Sequence, residues 1–421
     1  MSVEQEIKAE PFFVILDANS QKIFWGQLIS QSCDKLMSVG MIWVLTERFS
    51  PKWIPWYIAL GALPHFLLAT KSGHLIGKWG ALPTVIWTDL LRGVFFLAIS
   101  AMVPLCGSDD QLLQMLMVAA LISNVAGALF NPAILSLPVA MMEASSYRDK
   151  LTALIDSCFS FGNVLGPLIS ALSYAWVGLS GILAINGLSY LFSAILALTI
   201  KLTAKNDETI SRIEPGAEPE ENDKKTPVAK SISQVLKSQP VISGMLLTFL
   251  FMNFFLAPLM IFMPWYAKNV YGDGIAGLAK LEFCLGIGTV AGSILLSFVK
   301  LPGSTWKRIS ASLSLMALAY LSFTFSSSLW PACLSVMVLG FFLALANVII
   351  LTFFQNTPEA QDVPVVMGMV NLISVASLPI SMGVIGSFVE HVAVPGFATI
   401  CAAIVIGIAV LIPFIPGIRR I

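Results

Sequence analysis

Long apolar runs alternate along the chain with short clusters of proline, glycine and charge, and the runs set the predicted elements. In the first half they fall near 20–46, 53–72, 80–105, 111–141, 147–176 and 180–200. In the second half they fall near 239–268, 275–299, 308–327, 329–354, 364–389 and 393–417. Runs of about 20 residues suit helices that cross a hydrocarbon core, whereas membrane strands need only about 10 alternating positions. The pattern predicts an all-α polytopic membrane protein with about 12 transmembrane helices in two six-helix bundles, residues 1–200 and 239–421.

Residues 201–238 interrupt this pattern. They hold 14 of the 48 charged residues and read as a solvated linker, disordered in its middle, between the bundles. Its last part, 228–238, predicts a short surface helix acting only as a tether.

Composition agrees with the pattern and excludes other classes. The chain is 57% hydrophobic and 11% charged with a mean hydropathy of +0.84, against about 25% charged residues in an ordinary soluble domain. The formal net charge is zero and no basic stripe with interleaved aromatics occurs, so nucleic acid is not an expected partner. Six cysteines lie singly, mostly inside apolar runs, and read as small buried hydrophobes. The first twenty residues are polar and acidic, with no leader pattern, so the first hydrophobic helix is expected to direct insertion.

Charge position, rather than total charge, gives the orientation. With both termini and the linker inside, 18 of the 24 basic residues face the cytoplasm and only Arg48, Lys52, Lys268 and Lys280 face outward. Cytoplasmic loops are enriched in Lys and Arg, so both termini are expected in the cytoplasm.

Ionisable groups inside spans are costly and mark cavities, partners or proton paths. Asp34, Asp89, Asp156 and Glu282 qualify, with Asp156 and Glu282 nearer the interfaces. Asp34 is the leading proton-coupling candidate. Its alternative is a permanent hydrogen-bonded role with Ser30, Ser32 or Gln27. Asp89 and Arg92 share one helical face at i, i+3 spacing, which fits a self-neutralising pair; Arg92 pairing with an acid on another helix in only one state is the second reading. Gly162 and Gly166 form a G-x-x-x-G spacing followed by Pro167, which allows close helix approach. Asn124, Asn131, Asn163, Asn186, Asn253, Asn347, Gln355 and Asn371 suit either a ligand cavity or packing.

Enzymatic chemistry has no support. His65, His74 and His391 lie in or beside different spans without metal-ligand spacing, and no G-x-x-x-x-G-K-[ST] loop is present. No metal, no cofactor and no ATP-driven pumping is expected of this chain.

Several stretches carry a family resemblance: QLISQSCDKLMSVGMIWVL, TDLLRG, ALFNPAILSLPVAMM, YRDKLTALIDSCFSFGNVLGPLI, INGLSYLFSAI and GFFLALANVIILTFFQNTPE. Over nearly its whole length the chain resembles major facilitator transporters, in the branch of macrolide-efflux proteins and enterobactin-type siderophore exporters. The resemblance implies alternating access, a small-molecule substrate, proton antiport, residence in a bacterial inner-membrane bilayer and a monomer. SFGNVLGPLISA is similar to the antiporter motif, with Ser170 and Ala171 replacing its trailing glycines. The loop SGHLIGKWGALP is similar to the family's cytoplasmic loop motif at Gly73, Lys78 and Gly80, with Gly77 at the aspartate position; Ser123 stands where the family places an arginine. The expectation is a proton-coupled exporter of a small amphipathic molecule, a drug or siderophore. Uptake or lysophospholipid flipping, or a transport-inactive scaffold or receptor, are the alternatives.

Overall fold

The computed structural model describes residues 18–50, 52–141, 145–200, 232–298, 302–359, 362–388 and 393–420. Among them the secondary structure is helical: α1 Ala18–Arg48, α2 Trp53–Trp79, α3 Ala81–Met102, α4 Asp109–Met141, α5 Ser145–Leu198, α6 Ile232–Ser238, α7 Pro240–Leu256, α8 Leu259–Asn269, α9 Gly274–Phe298, α10 Thr305–Thr324, α11 Leu329–Asn356, α12 Val363–Phe388 and α13 Val394–Leu411. The predicted surface helix is α6; linker residues 201–231 lie outside the described residues.

The predicted break between the runs at 147–176 and 180–200 falls at Gly178, with φ 61° and ψ −164°, where the two helical limbs of α5 meet. A side chain rarely tolerates that φ, so glycine makes the corner. The run at 239–268 splits into α7 and α8 around Ala257 and Pro258. Proline donates no N–H and so releases the carbonyl four residues back; that carbonyl, Phe254 O, accepts from Ser381 Oγ of α12 instead.

Eight helical stretches among the described residues are long and apolar enough to cross a membrane. α1 is not one of them. Its mean hydropathy is lowered by Gln27, Ser30, Gln31, Ser32, Asp34 and Lys35, most of which turn toward other helices.

α1 packs chiefly on both limbs of α5, α3 on α5, and α2 on α4. In the later half, α9 packs on α11, with α11 on α10 and α10 on α13. The α9–α11 crossing is close because Gly288 and Gly292 face the carbonyls of Met337 and Phe341, where a Cβ would collide. Between the halves, α2 meets α12 and the first limb of α5 meets α9.

The halves share a core at one end. Val39, Ile42, Trp43 and Leu45 of α1 join Phe262, Tyr266, Leu278 and Leu281 of the later half in one buried cluster. At the opposite end of α1, Ile23 and Phe24 share a buried cluster with earlier-half residues such as Phe130, Leu137, Leu151 and Leu154. Lys268 Nζ closes the shared end by donating to the carbonyls of Thr46 and Glu47 at 2.7 and 3.0 Å.

Candidate functional site

Midway along α1 the chain turns its polar face inward on a cavity of about 660 Å³. α1 contributes Gln31, Asp34, Lys35, Met37 and Ser38, α2 contributes Tyr57 and His65, and α4 contributes Ser123, Asn124 and Asn131. Arg92 of α3, Phe159, Asn163 and Tyr190 of α5, and Ser374 and Leu378 of α12 complete the wall. Both halves therefore line it.

Asp34 faces this cavity with 29% of its side chain exposed. Its Oδ1 accepts from the hydroxyl of Tyr190 and, at 3.3 Å, from Asn186 Nδ2. The alternative partners are engaged elsewhere: Ser32 Oγ donates to Leu28 O at 2.7 Å and Gln27 Nε2 to Ser193 Oγ at 3.3 Å. Ser30 Oγ is buried without a hydrogen-bond partner among the described residues.

Arg92 is nearly sealed, 5% exposed beside a fully buried Asp89. Its Nη2 lies 2.5 Å from Asp89 Oδ1 and its Nη1 4.0 Å from Asp34 Oδ2. The guanidinium sits between two rings, 4.2 Å from the centroids of Phe130 and of Tyr190, which suits a weakly hydrated planar cation. The i, i+3 pair exists, and in this structure the same arginine also reaches an acid on another helix. One cation facing two carboxylates leaves one negative charge, so a single proton makes the trio neutral.

Lys35, one residue on, projects to another wall, as adjacent helical positions must. Its Nζ pairs with Glu282 Oε2 of α9 at 3.0 Å, the two side chains being 21% and 9% exposed. This ion pair bridges the halves. Sequence spacing cannot reveal it, because its partners lie on helices distant in the chain.

Gly162 and Gly166 of α5 pack against α1 at Gln31, Ser32 and Lys35. A Cβ at Gly162 would be 3.0 Å from the backbone of Gln31, and one at Gly166 would be 2.5 Å from Lys35 Cβ. Pro167 releases the carbonyl of Asn163, and Gly286 of α9 packs there, its would-be Cβ 3.2 Å from that oxygen. The loop-motif residues stand apart from the cavity. Gly80 caps α2 with φ 87°, Lys78 is exposed, and Gly73 has open space where a Cβ would go. Asp156 is also exposed, whereas Ser123, at the family's arginine position, lines the cavity.

Tyr190, Asn186 and His65 carry no distinguishing mark in the sequence. Asn186 carries the same signal as seven other polar span residues, and a lone tyrosine or histidine in an apolar run resembles a packing group.

The Major Facilitator Superfamily model matches residues 23–384. A Bacillus subtilis (strain 168) protein named as a bacilysin exporter, BacE, is 22% identical over 387 residues, 88% of this chain and 91% of that one. Its counterpart from Bacillus amyloliquefaciens is 23% identical over 313 residues, 73% of this chain and 74% of that one. Macrolide efflux protein A of Streptococcus pyogenes is 20% identical over 407 residues, 95% of this chain and 96% of that one. With the family match covering nearly all of its helices, the chain belongs to the Major Facilitator Superfamily and is a multi-pass membrane transporter, not an enzyme.

Proposed function

We propose that this transporter exports a small molecule in exchange for protons, as a monomer in a bacterial inner membrane with both termini in the cytoplasm. The observation that carries the reading is the charged trio of Asp34, Arg92 and Asp89 on the wall of a cavity that both halves line. Asp34 is its exposed member and therefore the one that exchanges protons with the cavity; Tyr190 and Asn186 hold its carboxylate in place. Export follows the printed names of the relatives, which are exporters and an efflux protein.

With the termini inside, the shared core of α1 and α8 lies at the outer face. The cavity then loads from the cytoplasm, and rocking of the halves carries the substrate outward. Bundles 1–200 and 239–421 move about this centre, tethered by 201–238. The solute proposed is a small amphipathic molecule, a drug or siderophore.

The test is proton-coupled flux in everted vesicles. Asp34→Asn keeps the size and the hydrogen-bond acceptor but cannot ionise, so it removes substrate-driven proton movement while the purified protein still elutes as a folded species. Undiminished coupling in that variant refutes the role of Asp34, and inward substrate movement in right-side-out vesicles refutes export.

A further inference from the structure

Glycine seats α9 and α11 against each other in parallel. Gly288 meets the carbonyl of Met337 and Gly292 that of Phe341, while from the other helix Gly340 has Leu285 O 2.5 Å from the place of its Cβ. Between the first two contacts each helix advances by four residues, so the facing register repeats with every turn. One turn back along that register, the facing positions are Cys284 and Cys333.

The two thiols are close enough to share a hydrogen bond. Both are free, Cys284 half-buried and Cys333 buried. Buried Cys158, by contrast, donates to the carbonyls of Phe24 and Leu154 at 3.6 and 3.3 Å. A disulfide needs Cα atoms about 4.4–6.8 Å apart, and helices whose axes lie about 8–10 Å apart offer that spacing only where facing positions approach closely. The glycine crossing supplies such an approach.

The pair also lies near water. Cys333 sits one turn inside α11, and Lys280, one turn before Cys284, is exposed and paired with Asp273 at 3.2 Å. Both cysteines belong to the core that closes this end of the molecule, Cys333 within it and Cys284 packed against it.

We propose that Cys284 and Cys333 form a redox-modifiable site that closes to a disulfide and staples α9 to α11. The oxidant is an external disulfide. Cys284, the more exposed thiol, gives its proton to water and its thiolate attacks one sulfur of that disulfide; the external S–S bond breaks, a mixed disulfide forms and one thiolate leaves. Cys333, deprotonated in turn, attacks Cys284 Sγ and the second external thiolate leaves. The two cysteines thereby lose two protons and two electrons, and the external disulfide becomes two thiols. On the proposed orientation this end faces outward, where disulfides form and persist. The site stands apart from export and from proton coupling. Glu282 and Gly286 flank Cys284 on the stretch of α9 that meets the earlier half, so the staple anchors the helix through which the halves touch.

The experiment incubates the purified full chain in nanodiscs with glutathione disulfide, alkylates the remaining thiols, and digests it without reductant for mass spectrometry, with thermal unfolding followed in parallel. The expected result is one cross-linked peptide pair carrying Cys284 and Cys333, two fewer alkylated thiols per chain, and a melting temperature raised by several degrees, because the cross-link restricts the unfolded chain. Dithiothreitol is expected to reverse all three. Cys284→Ser and Cys333→Ser, each first shown to melt normally when reduced, are expected to lose the oxidant-dependent rise, and Cys158→Ser to keep it. Where a serine variant folds poorly, the wild-type peptide map decides alone. Free thiols at both positions after glutathione disulfide and after the membrane-permeant oxidant diamide overturn the proposal, as does a bond from either cysteine to a different one, or a closed bond that leaves the melting temperature unchanged.

Discussion

At the scale of single residues, Arg92 is the group on which most depends. It neutralises Asp89 inside the bundle, spans to Asp34, and leaves its own Nε without a partner among the described residues. Removing it strands a buried carboxylate, which costs about 3–5 kcal/mol. Arg92→Ala is therefore expected to lower the melting temperature in detergent markedly, and Arg92→Ala with Asp89→Ala to recover most of the loss; a double variant no better than the single one contradicts the pairing. Asp34, Asp89 and Arg92 could be singled out from sequence because a charge in an apolar run has a known cost. Lys35 with Glu282, and Tyr190 on Asp34, could not, because each contact joins residues more than 150 positions apart, and their sequence carries no mark of the partner.

Among helices, the sequence pattern located nearly every element within a few residues, since a 20-residue apolar run leaves few options in a bilayer. The corner at Gly178 falls in the gap between two predicted runs, whereas the division at Pro258, whose freed carbonyl is taken up by Ser381, was missed because it depends on what packs nearby. The close seat of α5 on α1 yields a direct expectation. Gly166→Leu forces a side chain into the space of Lys35 Cβ and Cγ, 2.5 and 2.8 Å from the position of the new Cβ. Overpacking of this kind costs about 1–3 kcal/mol, and it displaces the segment that carries Asp34. The variant is expected to fold with lowered thermal stability and to lose coupled flux well beyond what that stability loss explains, measured in the same vesicles. Gly73→Leu, with open space around it, serves as the control that leaves stability unchanged.

For the whole molecule, the Lys35–Glu282 pair spans the two halves while their shared core closes one end. In the proposed rocking cycle this pair parts, and it then contributes to one state only. Reversing a single charge, Lys35→Glu or Glu282→Lys, is expected to shift the population of that state by roughly tenfold or more, as about 1.4 kcal/mol suffices. Spin labels at Arg48 and Val270, one on each side of the closed end, are expected to report longer distances in either single variant and the original distance when both charges are exchanged. Unchanged distances in the single variants refute the link. The low hydropathy of α1 has a consequence for how the protein is made. On the translocon scale a central Asp or Lys costs about 2.5–3.5 kcal/mol, and α1 carries one of each side by side. Its stable neighbours are the limbs of α5, synthesised more than 100 residues later. At about 5–20 residues per second, the nascent α1 spends many seconds without them, so the order of synthesis makes this polar helix the step in biogenesis most exposed to quality control; a ribosome-bound fragment ending before α5 is expected to leave α1 accessible to a water-soluble thiol reagent at Cys33, and one ending after it to protect that thiol.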